Sequence, residues 1–110
     1  MPCEDLKWSE DVRCKDSNSK DIPESAGVYK ISVQLKNGKL RSIYVGQADN
    51  LKARFLQHLS TSEANPCIKK NVSDFVCYFR YTLVPRQEDR NAIEKHLLKR
   101  FSYECNQQNN

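Results

Sequence analysis

Gly27-Val28-Tyr29-Lys30-Ile31-Ser32-Val33-Gln34-Leu35-Lys36-Asn37-Gly38-Lys39-Leu40-Arg41-Ser42-Ile43-Tyr44-Val45-Gly46 decides the fold. Tyr29, Ile31, Val33 and Leu35 alternate with polar or smaller residues, the period of a strand with one face on a core. Asn37-Gly38 tolerates positive φ at both positions and is a strong short hairpin signal. A two-residue loop there pairs Lys36 with Lys39, Ile31 with Tyr44 and Tyr29 with Gly46. Tyr29 and Tyr44 then share a face as diagonal neighbours, about 7 Å apart at Cα. Gly46 leaves open space over the Tyr29 ring. A bulge would change the parity and undo this pairing.

Outward from the hairpin, residues 49–60 read as a helix capped by Asp49 or Asn50, with Leu51, Phe55, Leu56 and Leu59 as its apolar stripe. Arg54 and His58 stand one turn apart beside that stripe. Asn65-Pro66 opens a short second helix. Residues 75–83 form an aromatic-rich third strand, ended by Pro85. The last helix carries acids at Glu88-Asp89 and bases at Lys99-Arg100, as its macrodipole favours. Ile93, Leu97, Leu98 and Phe101 form its predicted core stripe, with Glu94 at the edge. The expected architecture is a small α/β (α+β) domain: a three-stranded antiparallel sheet flanked by helices.

The chain has 110 residues, 38% hydrophobic and 29% charged, which fits one compact domain with a small core. No apolar run is long enough for a transmembrane helix, and the charged N-terminus is no signal peptide. No membrane association is expected. Five cysteines, an odd number, with no CxxC pair, point away from disulfides and zinc ribbons and toward a reducing, cytoplasmic setting. Cys67 and Cys77 read as small core residues. Seven acids against four bases put residues 1–24 at −3, so the other 86 residues carry +7 of the total +4. We divide the chain into an acidic extension over residues 1–21 and a domain over residues 22–110. The extension docks through Trp8 or remains partly disordered, and the terminal NQQNN frays or caps. The basic body suits a polyanionic partner.

The order of hairpin, helix, strand and helix, with two tyrosines, an Arg/His pair and a helical glutamate, resembles the GIY-YIG nucleases. The half-motifs stand as Gly27-Val28-Tyr29 and Tyr44-Val45-Gly46, after the lead-in Ile22-Pro23. Asp49-Asn50-Leu51-Lys52-Ala53-Arg54 is similar to the family's arginine-bearing helix, and His58 matches a histidine found in some members. Glu94 matches its metal-binding glutamate and Asn106 its late asparagine. The resemblance covers roughly residues 22–108. It implies a divalent-metal-dependent endonuclease acting on DNA, with a tyrosine as general base.

The residues support that chemistry on their own terms. Phosphodiester hydrolysis needs an activated water, a cation on the phosphate and help for the leaving group. Glu94 is the expected ligand for one Mg²⁺ (or Mn²⁺), an ion that keeps most of its waters and asks for few carboxylates. Arg54 presents a planar fork to a phosphate. Tyr29 or Tyr44 takes the water's proton, which requires a nearby cation to lower a phenol pKa of about 10. His58 polarises that tyrosine or binds phosphate, and Asn106 orients a catalytic group. Gly46, Gln47, Lys52 and Arg54 are expected to line the substrate. No attached DNA-reading module is expected, so specificity is expected to come from a homodimer or a partner protein. The alternative function is a non-catalytic DNA-binding or protein-interaction module that keeps the fold.

Overall fold

A computed structural model describes residues 6–106 of the chain. Strands β1 (Val12–Arg13), β2 (Gly27–Gln34), β3 (Leu40–Ala48) and β4 (Cys77–Leu83) form one antiparallel sheet in the order β1-β4-β2-β3. Helices α1 (Leu51–Leu59), α2 (Pro66–Asp74) and α3 (Gln87–Arg100) pack around it. The sheet has four strands where three were expected. The extra one is the short β1 within the acidic extension, where Val12 pairs with Phe79 and Arg13 with Tyr78.

The extension is held by more than that ladder. The Ser9 backbone N–H donates to Tyr81 O at 2.7 Å, and the Tyr81 N–H donates to Ser9 Oγ at 3.0 Å. Trp8 packs on the core, and Lys30 Nζ lies 4.7 Å from the centre of its ring. The extension therefore docks through Trp8. Residues 1–5 and 107–110, which include Glu4, Asp5 and most of the terminal NQQNN, lie outside the described residues.

The hairpin departs from its simplest form in two places that offset each other. Its loop has three residues, Lys36-Asn37-Gly38, closed by Leu35 N–H donating to Lys39 O, with Gly38 at φ +84°. That shifts the pairing near the turn, where Gln34 faces Leu40 and Ser32 faces Ser42. A bulge between Ile31 and Ser32 then absorbs Ile43 and restores the expected register, so Ile31 faces Tyr44 and Tyr29 faces Gly46.

The middle strand β2 is covered on both faces. Tyr29, Ile31 and Val33 join Ile43, Leu51, Phe55, Ile68 and Phe79 on the α1/α2 side. Val28 joins Val45, Val84, Ile93 and Leu97 on the α3 side. Asn50 caps α1 through Ala53 N–H at 3.0 Å, and Asn65 caps α2 through Cys67 and Ile68, with Pro66 at the first position. Two helix stripes are narrower than expected. Leu56 is exposed while His58 takes a buried place on α1. Leu98 and Phe101 are exposed, and Arg90 fills the buried row of α3 instead. Arg90 reaches Val84 O and Pro85 O at 2.9 Å each, so it ties α3 to the end of β4.

One cysteine expectation is corrected. Cys67 and Cys105 form a disulfide, with Cα atoms 5.3 Å apart. The pair joins the first turn of α2 to a 3₁₀ turn at Glu104–Asn106, a contact made by tertiary folding over a separation of 38 residues. Cys77 is buried as expected, and burial pushes its thiol up to about 11. Closing a chain segment of this length is worth about 4 kcal/mol in the loop-entropy account. Reductant, or Cys67→Ala, is therefore expected to lower the melting temperature. A melting temperature unchanged by reductant would show that the two sulfurs are not joined.

Candidate active site

Gly46 shapes the site before any side chain does. A Cβ there would lie 2.7 Å from Tyr29 Oη and 2.9 Å from Tyr44 Cε2. Its hydrogen is what lets the phenol of Tyr29 lie across the neighbouring strand. The two rings stand with centroids 6.1 Å apart, tilted by 38°. Tyr29 is 0% exposed and stacks on Phe79 at 4.9 Å, whereas Tyr44 is half-buried at the rim.

Helix α1 brings Arg54 and His58 to these rings. His58 Nε2 lies 2.7 Å from Tyr29 Oη, and its ring centre is 5.8 Å from that of Tyr44. Arg54 Nη1 reaches the carbonyl of Gln47 at 3.5 Å. Helix α3 supplies the acid: Glu94 Oε1 accepts from Gln47 Nε2 at 2.8 Å. The Gln47 carboxamide also donates to Asn91 Oδ1 at 2.8 Å and accepts from Gln87 Nε2 at 2.6 Å. Gln47 is thus a bracket between β3 and α3 that fixes the Glu94 carboxylate.

Asn106 acts on the backbone. Its carboxamide accepts from Val45 N–H at 2.9 Å and donates to Val45 O at 3.0 Å. Strand β3 is the edge of the sheet, so Asn106 fills the hydrogen bonds that a further strand would make. It pins the residue between Tyr44 and Gly46. Tyr29, Tyr44, Gly46, Gln47, Arg54, His58, Glu94 and Asn106 are therefore brought together. Lys52 is the exception: two residues before Arg54, it leaves α1 about 200° around the helix and makes none of the site's hydrogen bonds.

Without a bound cation, burial works against a lowered phenol pKa. Burial pushes the Tyr29 phenol up, with the nearby Tyr44 adding to it and Arg54 opposing. Tyr44 is raised first by burial and then by the Glu94 charge, while Arg54 and the Tyr29 hydroxyl draw it down. His58 is lowered, chiefly by burial, against the opposing pull of Glu63. Both phenols are thus protonated and the imidazole is neutral at neutral pH.

Sequence reasoning missed Glu63. It is buried in the loop after α1, with one oxygen on His58 Nδ1 and the other accepting from Asn65 N–H at 2.9 Å. No period marks a loop residue five positions after His58. Among the described residues no three His, Cys, Asp or Glu side chains cluster as a metal site. A lone carboxylate fits an ion that retains its waters, such as Mg²⁺. Among those residues, too, no helix is long and apolar enough to cross a membrane.

Comparison with known proteins bears on this arrangement. Residues 25–109 match the profile of the GIY-YIG catalytic domain. The UvrABC system protein C of Fusobacterium nucleatum is 36% identical over 89 residues, covering 78% of this chain and 14% of that protein. The protein of the same name from Bacteroides fragilis is 33% identical over 98 residues, covering 89% of this chain and 15% of that protein. The chain belongs to the GIY-YIG family. It spans only about a seventh of the length of these relatives.

The tight fit at Gly46 yields a direct test. Gly46→Ala forces both rings to shift and is expected to destabilise the fold by about 1–3 kcal/mol. Urea denaturation measures it, and an unchanged midpoint would mean the rings move aside freely.

Proposed function

We propose that this domain is a divalent-metal-dependent endonuclease that hydrolyses DNA phosphodiester bonds. The observation that carries the reading is the convergence of two phenols, a guanidinium, an imidazole and a carboxylate from β2, β3, α1 and α3 on one face. Membership of the GIY-YIG family and the two UvrABC relatives support it.

Arg54 binds the non-bridging oxygens of the scissile phosphate through its fork. Glu94, steadied by Gln47, is the group that would hold Mg²⁺ or Mn²⁺, one ion per site. That ion, when bound, supplies positive charge for the phosphate oxygens and leaving group. Tyr44 is the phenol at the rim, so it meets the attacking water, and Tyr29 lies buried behind it. The water adds to phosphorus as the bond to the leaving oxygen breaks. Its proton passes to the phenol pair, whose inner member already contacts His58 Nε2. Asn106 keeps β3 in place so that Tyr44 and Gly46 hold their positions. Lys52 and the other basic residues of the +7 body attract the DNA backbone at longer range. Target choice then comes from a second copy or a partner protein, since the domain's own site reads phosphate rather than base.

The test is a cleavage assay on plasmid, flap and junction DNA with Mg²⁺ or Mn²⁺, beside Glu94→Ala. Wild type is expected to nick, and Glu94→Ala to lose cutting by at least roughly 100-fold with its circular dichroism unchanged. Equal cutting by the variant, or gel shifts without cutting by wild type, would overturn the reading.

A further inference from the structure

We propose that Glu63 is a positioning residue for the hydrolytic step: it fixes the His58 tautomer so that Nε2 receives the proton of Tyr29. This rests on the nuclease reading above. The geometry is a line of four groups. Tyr29 Oη lies 2.7 Å from His58 Nε2, His58 Nδ1 contacts Glu63 Oε1, and Glu63 Oε2 accepts from the Asn65 backbone N–H at 2.9 Å. Tyr29, His58 and Glu63 are all buried, so water does not compete for these bonds.

A carboxylate accepts but does not donate, so the His58 nitrogen facing Glu63 carries the hydrogen. The other nitrogen, Nε2, is then a bare lone pair facing a phenol O–H. This is the logic by which an acidic residue orients a histidine behind a hydroxyl in other hydrolases. Among the described residues, Glu63 is the one acid in contact with His58. The charged and titratable groups around it are Arg54 on its own helix, Tyr29 from β2, Tyr44 from β3, Glu63 from the loop, and Lys69 of α2 across a shared cleft. Of these only Glu63 is a carboxylate.

The protons balance. The bond from water oxygen to phosphorus forms as the phosphorus–leaving-oxygen bond breaks. The water proton goes to Tyr44 as Tyr44 passes its own proton to the Tyr29 hydroxyl beside it and Tyr29 gives its own to His58 Nε2. Glu63 stabilises the imidazolium that results. The leaving oxygen takes a proton from solvent, and His58 later returns its proton there. Burial disfavours a free phenolate at either ring, and an acceptor in contact with Tyr29 lets the proton leave without one.

Two measurements test this. The first is independent of cleavage: ¹⁵N chemical shifts of the imidazole nitrogens, taken with His96→Gln, which removes the other of the two histidines. Wild type is expected to show hydrogen on Nδ1 and a lone pair on Nε2, and Glu63→Leu to lose that preference. Hydrogen on Nε2 in wild type would overturn the proposal whether or not the protein cuts DNA. The second is the pH profile of cleavage in Glu63→Gln. His58 works as the neutral form and its pKa is lowered, so the acid limb is expected below pH 6.5. Glu63 opposes that lowering, so Glu63→Gln is expected to move the limb to still lower pH while cutting the plateau rate roughly 100-fold. An unchanged rate and limb would overturn the proposal, and a fall in rate through unfolding alone would leave the limb in place and also count against it. Failure of wild type to cut any DNA overturns the nuclease reading and with it the hydrolytic role of Glu63, whereas a wrong tautomer in a protein that does cut overturns the Glu63 proposal alone.

Discussion

The missing side chain at Gly46 is the constraint on which the rest of the site depends. A phenol can lie across an adjacent strand only where that strand offers no Cβ, and here the free space is smaller than a methyl group. Tyr29 occupies it, and its hydroxyl is thereby aimed at α1 and not into the sheet. Phe79 stacks beneath the same ring, and Phe55 meets Phe79 edge-on at 5.1 Å, so the aromatic layer that forms the core also sets the angle of the phenol. Core packing and site geometry are one interaction at this point. A helix placed over this layer must present a polar side chain to the hydroxyl, and α1 does so with His58 in a position its apolar period would assign to a leucine.

The second support comes from the far end of the chain. An edge strand offers unpaired backbone groups, and in β3 those groups at Val45 sit between the two residues that matter most, Tyr44 and Gly46. One carboxamide, on Asn106, supplies both the donor and the acceptor they need. The turn carrying Asn106 is anchored in its turn to α2 by Cys67–Cys105, and Asn65 Nδ2 donates to Cys105 O at 3.2 Å. The backbone N–H of the same Asn65 donates to Glu63. The backbone of Tyr44 and the acid behind His58 are therefore braced through one residue, although they lie on different elements.

Much of this was legible in the chain, and the failures have identifiable causes. Alternation and Asn37-Gly38 specified the hairpin, yet the right register emerged because a longer loop and the Ile43 bulge shift the pairing in opposite senses. Neither shift alone leaves a mark on an alternating pattern. The caps at Asn50 and Asn65 were readable because capping is local chemistry. Leu56, Leu98 and Phe101 fall on the apolar stripes but are exposed, since a helix period marks an apolar stripe but not how wide a surface the sheet has left to cover. Arg90 and His58 take buried places because tertiary partners hold them: two carbonyls and Asp49 for one, a phenol and a carboxylate for the other. The Cys67–Cys105 bond, the β1 pairing and the Glu63 contact belong to the same class. Each joins segments that nothing in the local sequence relates.

The raised phenols carry a consequence for how such a site is controlled. A free tyrosine ionises near pH 10, and both tyrosines here are held above their ordinary value by burial. For Tyr44 the next cause is the negative charge of Glu94, and the guanidinium of Arg54 does not reverse the balance. The site therefore rests with its phenols protonated, and no reactive phenolate stands ready in the absence of substrate. Proton transfer needs an acceptor already in contact, and the neutral imidazole 2.7 Å from Tyr29 is one. Because burial also lowers His58, that acceptor stays empty across the neutral range instead of being filled by a solvent proton. The same desolvation that makes a phenolate costly thus keeps its acceptor available, and the opposite signs of the two effects, upward on an acid and downward on a base, follow from one cause.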